Sequence, residues 1–180
     1  DPDGRTFNTE VCVVNFANVG ATFARVVLQH SESQPGFDWE GVRRCVVYLV
    51  EELGVKVVGC IIENFIGPDN GLVCTGVPRD IKAACECIQF TPRIDGAFHR
   101  SADDEQTIKC AFRRNCRFLD NDNYRDWLQE IEPERVRRWL VEAQDLLQIR
   151  YFFDSQLGTF DTLGGNFSFK HVVEVGRRSM

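Results

Sequence analysis

Short apolar runs recur along this chain, separated by helix-like stretches, and that alternation constrains the fold more than any other feature. Residues 10–16 (EVCVVNF), 55–62 (VKVVGCII), 87–90, 117–119 and 149–153 each read as a short strand. Continuous apolar runs suit strands covered on both faces, as in a parallel sheet. The stretches between carry helix signals. Asp38 suits the N-cap of a helix over 39–53, and Gly54 its stop. Pro78 fits the first turn of a short helix to about residue 85. Ser101-Ala102-Asp103-Asp104 resembles a capping box with a shorter acid, opening a helix to about residue 114. Pro133 starts a long amphipathic helix with Val136, Leu140, Ala143 and Leu147 on one face. Ala17-Asn18-Val19-Gly20 reads as the loop after the first strand. The pattern predicts an α/β domain with a central, mainly parallel sheet. In such sheets ligands sit outside the carboxyl ends of the strands.

Composition narrows the function classes. The 180 residues hold 27 Asp or Glu against 21 Lys or Arg, a net charge of −6. That excludes a uniformly basic protein coating a polyanion, while leaving a local basic patch open. At 43% hydrophobic and 27% charged, the chain is globular in composition. No apolar run approaches the roughly 18–20 residues of a membrane span, and no basic-then-apolar leader pattern opens the chain. The eight cysteines lie mostly within apolar runs, as in Val11-Cys12-Val13. They read as reduced, buried thiols of an intracellular, cytoplasmic protein. Cys85-Glu86-Cys87 and the scattered His30, His99 and His171 lack zinc-site spacing. The length predicts one domain over 1–165. An extension over 166–180 has a strand-like stretch at 167–173, read as an added edge strand or a partner-binding tail.

The acids converge on this frame. Asn15 ends the first strand, Asp103 and Asp104 open a helix, and Asp120, Asp122 and Asp126 follow the fourth strand. Carboxylates gathered at one sheet edge repel each other, and a divalent cation relieves that cost. Hard oxygen ligands suit Mg²⁺ or Mn²⁺, which can activate water for attack on a phosphate. Caps and turns also favour Asp and Asn, so position alone leaves both readings open. No GxxxxGK[ST], GxGxxG or GxSxG motif occurs.

Three segments carry a resemblance. Asp103-Asp104-Glu105-Gln106-Thr107-Ile108-Lys109-Cys110-Ala111 resembles the "DD…K.A" helix of NYN-domain ribonucleases, the regnase-like branch of the PIN-like nucleases. Asn121-Asp122-Asn123-Tyr124-Arg125-Asp126 resembles their "ND.YRD" motif, and Val13-Val14-Asn15-Phe16-Ala17-Asn18-Val19 their "V(I/V)DG.NV" opening. Asp161-Thr162-Leu163-Gly164 is similar to their closing "D.LG". The resemblance implies a PIN-like three-layer α/β/α sandwich and a Mg²⁺- or Mn²⁺-dependent endoribonuclease acting on single-stranded RNA, in mRNA decay or RNA silencing. It places Asp104, Asp122 and Asp126 at acidic positions of the metal site and Asp103 as their paired neighbour. Asn18 matches the asparagine supporting the first aspartate, and Arg125 the motif arginine. Two departures fall together. Asn15 stands where the family carries the first metal-binding aspartate, and Phe16 replaces a small glycine. Asn keeps the shape and an amide oxygen but loses the charge. Deliberate substitution and natural loss both account for it.

RNA contacts are expected at Asn18, Arg93, His99, Arg100 and Arg125, since single strands bind basic grooves with stacking rings. Arg25, Arg79 and Lys82 are further candidates, and Arg113, Arg114 and Arg117 read as the basic end of the DD helix. Trp127 and Trp139 read as core. The leading expectation is an endoribonuclease domain inactivated by Asn15. The alternative is a catalytically dead NYN domain that binds RNA or protein. A phosphatase or phosphoacceptor domain ranks third, since its usual nucleophilic Asp would be Asn15. Partners under the first two readings are single-stranded RNA and a homodimer or paired NYN-domain protein, with no membrane and no DNA.

Overall fold

The computed structural model describes residues 1–31, 36–62, 76–91, 102–125 and 133–163. The elements run β1 (Asn8–Asn15), α1 (Phe16–Val26), α2 (Trp39–Val47), β2 (Lys56–Ile62), α3 (Arg79–Ala84), β3 (Cys87–Thr91), α4 (Ala102–Arg114), β4 (Cys116–Leu119) and α5 (Glu134–Leu147). Three short strands close the chain: β5 (Gln148–Ile149), β6 (Tyr151–Phe153) and β7 (Phe160–Thr162). Five strands form one sheet in the order β3-β2-β1-β4-β5, and every pair in it is parallel.

The alternation along each strand explains the layers. In β1, Cys12 and Val14 face one core with Phe16, Val19 and Phe23 of α1 and Val42 and Cys45 of α2. Val11 and Val13 face the other, with Ile108 and Ala111 of α4 and Val136, Trp139 and Leu140 of α5. A two-residue period thus divides β1 between two helical layers. The result is a three-layer α/β/α sandwich, as the alternation of apolar runs and helix signals predicts.

Asp38 and Gly54 bound their helix as the sequence predicts, Pro78 stands at the N-cap of α3 rather than in its first turn, and Ser101 lies outside the described residues. The Asp38 side chain accepts from Glu40 N at 2.7 Å and starts α2. A π-helical turn, Tyr48–Glu52, continues α2, and Gly54 ends it at φ +64°. A positive φ is what glycine tolerates at a helix stop. The expected face of α5 is buried in full at Val136, Leu140, Ala143 and Leu147. Trp139 is core, with its indole nitrogen donating to Asn115 Oδ1 at 2.8 Å.

Three expectations need correction. Residues 17–20 are not a loop: α1 begins at Phe16, directly after β1. Its buried positions Phe16, Val19, Gly20 and Phe23 follow a helical period that the preceding apolar run conceals. The run 149–153 is not one strand. Gln148 and Ile149 join the parallel sheet, while Tyr151–Phe153 pairs antiparallel with Phe160–Thr162. Arg117 lies in β4, as the strand read over 117–119 predicts, and is buried there rather than joining Arg113 and Arg114 at the basic end of the DD helix. Among the described residues the seven cysteines are free, and Cys12, Cys45, Cys60, Cys110 and Cys116 are buried, while Cys74 lies outside the described residues. Among the described residues no helix is long and apolar enough to cross a membrane. Trp127 and the extension from 166 lie outside the described residues.

Candidate active site at the carboxyl edge of the sheet

The strand order reverses direction between β1 and β4. The chain after β1 builds outward through β2 to β3, then returns through α4 to β4 on the other side of β1. A parallel sheet opens its ligand crevice at such a reversal. Residues ending these two strands therefore decide what the crevice can do. The register pairs Val14 with Leu119, so the next residues, Asn15 and Asp120, emerge side by side. Both share the face of Val13 and Phe118, which is the face α4 covers. Asp103 and Asp104 in the first turn of α4 complete the meeting.

Asn15 is 1% exposed and has two jobs. Its Oδ1 accepts from the Asn18 backbone N–H at 3.2 Å, which makes it the N-cap of α1. That bond fixes which end of the amide faces inward. Nδ2 donates to Asp104 Oδ1 at 2.8 Å and to Asp120 Oδ2 at 2.7 Å. Turning the amide over would set its NH₂ against the Asn18 N–H, donor against donor. An aspartate here would cap with one oxygen and present the other to the two carboxylates.

Asp120 is 0% exposed and fully engaged. Oδ2 also accepts from the Tyr124 hydroxyl at 2.7 Å, and Oδ1 accepts from Asp122 N at 2.9 Å. Gln148 Nε2 donates to the carbonyls of Asp120 and Asp122 at 2.9 and 2.6 Å, locking the turn to β5. Burial raises the Asp120 carboxyl above its usual range, while the bonds from Asp122 N, Tyr124 and Asn15 oppose that shift. Burial and the Asp120 charge push Asp103 up to about 7. Asp104 also rises to about 7, through burial and the charges of Asp120, Asp122 and Asp103, with the Asn15 bond opposing. The buried Oδ1 of Asp103 has no hydrogen-bond partner.

The expected residues sort as follows. Asn15, Asp103 and Asp104 lie together. Asp122 contributes its charge near Asp104, and its Oδ1 accepts from Tyr124 N at 2.9 Å to close the motif turn. Asn18 supports the site from inside. Its Oδ1 accepts from the Tyr151 hydroxyl at 2.6 Å and from Asn121 N at 3.4 Å. Arg125 is exposed directly after Tyr124, and its backbone N–H donates to Asn123 Oδ1 at 3.1 Å. Asp126, Arg93, His99 and Arg100 lie outside the described residues. A cleft of about 340 Å³ adjoins the site along α1, lined by Asn18, Ala21, Thr22 and Arg25.

Motif reading passes over Asp120, one residue ahead of "ND.YRD". The available signal is its place directly after β4, next to Asn15 in register. Phe16, the second departure, is explained by β2. A Cβ at Gly59 would lie 2.3 Å from the Phe16 ring, so the missing side chain makes room for the ring.

Among the described residues no group of three or more His, Cys, Asp or Glu is set as a ready cation cage. The donor chemistry nevertheless fits one. Mg²⁺ commonly takes one or two carboxylates and keeps waters. Asp104 and Asp120 converge on one point, and the unpartnered Asp103 oxygen adds buried negative charge beside it. The Asn15 NH₂ now occupies that point. No protein-family model matches the chain, and no curated protein matches it.

Proposed function

We propose that this domain is a Mg²⁺- or Mn²⁺-dependent endoribonuclease of the NYN, PIN-like kind, acting on single-stranded RNA and held in a disabled form by Asn15. The observation that carries this reading is the orientation of the Asn15 amide. Its capping bond to Asn18 directs an NH₂ group, not an oxygen, at the two converging carboxylates.

Asp104 and Asp120 are the side chains that would hold a cation, which when bound would supply water activation and charge stabilisation on the phosphate. The protein's own contributions are separate from the cation. The turn from Asp120 to Tyr124 and the Gln148 clamp hold the carboxylates in place. The exposed Arg125 and Arg25 in the adjoining cleft offer positive charge to an RNA backbone. The role in mRNA decay or RNA silencing follows from the motif resemblance, as does pairing with a second NYN domain.

The test is cleavage of several single-stranded RNAs with Mn²⁺ by the native chain and by Asn15→Asp. The expected result is metal-dependent cleavage by Asn15→Asp, at least about 100-fold above the native chain, the size of an electrostatic contribution of this type. No cleavage by either protein overturns the reading.

One observation favours a second reading, a non-catalytic module that binds RNA or protein. The Asn15 NH₂ satisfies both carboxylates without any cation. RNA binding by the native chain that is unchanged by EDTA supports it.

A further inference from the structure

We propose that Cys110 of α4 is a peroxide-sensitive thiol that closes onto Cys60 of β2 as a reversible disulfide, with Arg114 as the group that holds its sulfur ready. The proposal concerns the native chain and does not rest on the nuclease reading.

Topology brings the sulfurs together. The face of the sheet that α4 covers carries Cys60 on β2 and Cys116 on β4, and Cys110 joins the same core from the helix. Cys87 of β3 packs against that core and registers with Val58 of β2. One side chain of α4 then links two of these thiols. Arg114, one turn after Cys110, donates from Nη1 to Cys110 Sγ at 3.1 Å and from Nη2 to Cys87 Sγ at 3.6 Å. A guanidinium stays charged and only donates, so both sulfurs are acceptors. Among the described residues no carboxylate pairs with Arg114, and its two hydrogen bonds both go to sulfur.

Cys110 differs in this from other buried cysteines. Cys12 and Cys116 donate to backbone carbonyls, to Val13 O at 3.7 Å and to Arg117 O at 3.4 Å. These are thiols used as small hydrophobes and weak donors, and burial pushes them up. Cys110 instead accepts from the Cys60 thiol, and that bond, with the charges of Arg114 and Arg113, holds it below the ordinary cysteine range against burial. The same bond and burial raise Cys60, which therefore keeps its proton and donates it. A sulfur with thiolate character beside a second thiol is the arrangement of a redox-sensitive cysteine and its resolving partner. Cys110 is 1% exposed, but Arg114 in contact with it is only half-buried, so the sulfur lies one side chain from water.

Hydrogen peroxide is the oxidant, small enough for such a site. The Cys110 sulfur attacks one peroxide oxygen, the O–O bond breaks, and the other oxygen leaves as water with the Cys110 proton. The Cys60 sulfur then attacks the sulfur of this sulfenic acid. The S–S bond forms, the S–O bond breaks, and the leaving hydroxide takes the Cys60 proton as a second water. Two thiols are oxidised to a disulfide and one peroxide is reduced to two waters. Cys60 pairs in register with Asn15, and Cys110 lies about two turns after Asp103 on α4. The disulfide thus ties α4 to β2 beside the candidate site.

The test treats the reduced native chain with hydrogen peroxide, alkylates the remaining thiols at intervals and maps the peptides by mass spectrometry. Cys12, Cys45, Cys110 and Cys116 are all at most 1% exposed, so rate differences among them report chemistry and not exposure. Cys110 is expected to lose its thiol at least about tenfold faster than the other three. Its product is expected to be linked to Cys60, with loss of two hydrogens, and to return to two thiols with dithiothreitol. Arg114→Gln, which keeps an amide donor without the charge, is expected to slow the loss at least about tenfold and leave Cys12 unchanged. Loss at Cys110 no faster than at Cys12, Cys45 and Cys116 overturns the proposal. So does linkage of Cys110 to a cysteine other than Cys60, or oxidation of Cys110 that runs on to sulfinic acid in the native chain. An unchanged rate in Arg114→Gln overturns the role of Arg114. The native chain alone decides the pair, whether or not that variant folds.

Discussion

One nitrogen atom separates two chemistries at position 15. The same side chain that caps α1 also chooses what the carboxylates meet, and the capping bond removes the amide's freedom to turn. The acids around it carry a pH signature. Asp103 and Asp104 hold protons to about pH 7 in the folded protein, against an ordinary value of 3.8. The folded state therefore binds more protons than the unfolded one in that window. This stabilisation is complete below pH 3.8 and lost as pH rises through 7. Asp103→Asn removes a group that must ionise without a partner. It is expected to raise the metal-free melting temperature at pH 8 by roughly 3 °C or more, as about 1 kcal/mol does in a protein of this size, and to change it little at pH 5. Calorimetry at the two pH values checks this. Tyr124→Phe leaves a buried carboxylate oxygen with one donor fewer. It is expected to cost about 1–3 kcal/mol in urea unfolding.

The elements show what could be read in the sequence and what could not. Asp38, Gly54 and the buried stripe of α5 were legible because capping and a 3.6-residue period leave marks in a single segment. The start of α1 was concealed, because Asn15 ends an apolar run and caps the next helix at once, leaving no loop between them. The break at Arg150, between β5 and β6, separates two sheets that a single run of apolar residues does not distinguish. Asp120 was legible among the acids after the fourth strand, but its contact with Asn15 was not. Its importance lies in the register of β4 against β1, a long-range fact that no local motif encodes. Phe16 and Gly59 are a long-range pair of the same kind, on α1 and β2. Gly59→Ala forces a Cβ into the Phe16 ring, which is buried and cannot swing away. It is expected to destabilise the protein by about 1–3 kcal/mol, the range for overpacked cores, measured by chemical denaturation. Loss of the α2 cap in Asp38→Ala is expected to cost about 0.5–2 kcal/mol in the same assay.

At the scale of the molecule, the sandwich explains how an acidic protein could act on a polyanion. Its excess of acids is not spread evenly. Four of them, Asp103, Asp104, Asp120 and Asp122, meet at the reversal point of the sheet, where burial and neighbouring charge raise the carboxyls of Asp103, Asp104 and Asp120. In this chain the Asn15 NH₂ answers two of them, and under the proposed reading an acid at 15 would leave that place to a cation. Arg125 is exposed directly after the motif turn, and Arg25 lines the adjoining cleft. The most direct test is Mn²⁺-dependent cleavage of a fluorescent single-stranded RNA by Asn15→Asp, beside the native chain and Asn15→Asp/Asp104→Asn. Cleavage by Asn15→Asp that stops with EDTA, and falls at least about 100-fold when Asp104 is also replaced, is the predicted result. Cleavage by none of the three, or cleavage indifferent to EDTA, contradicts it.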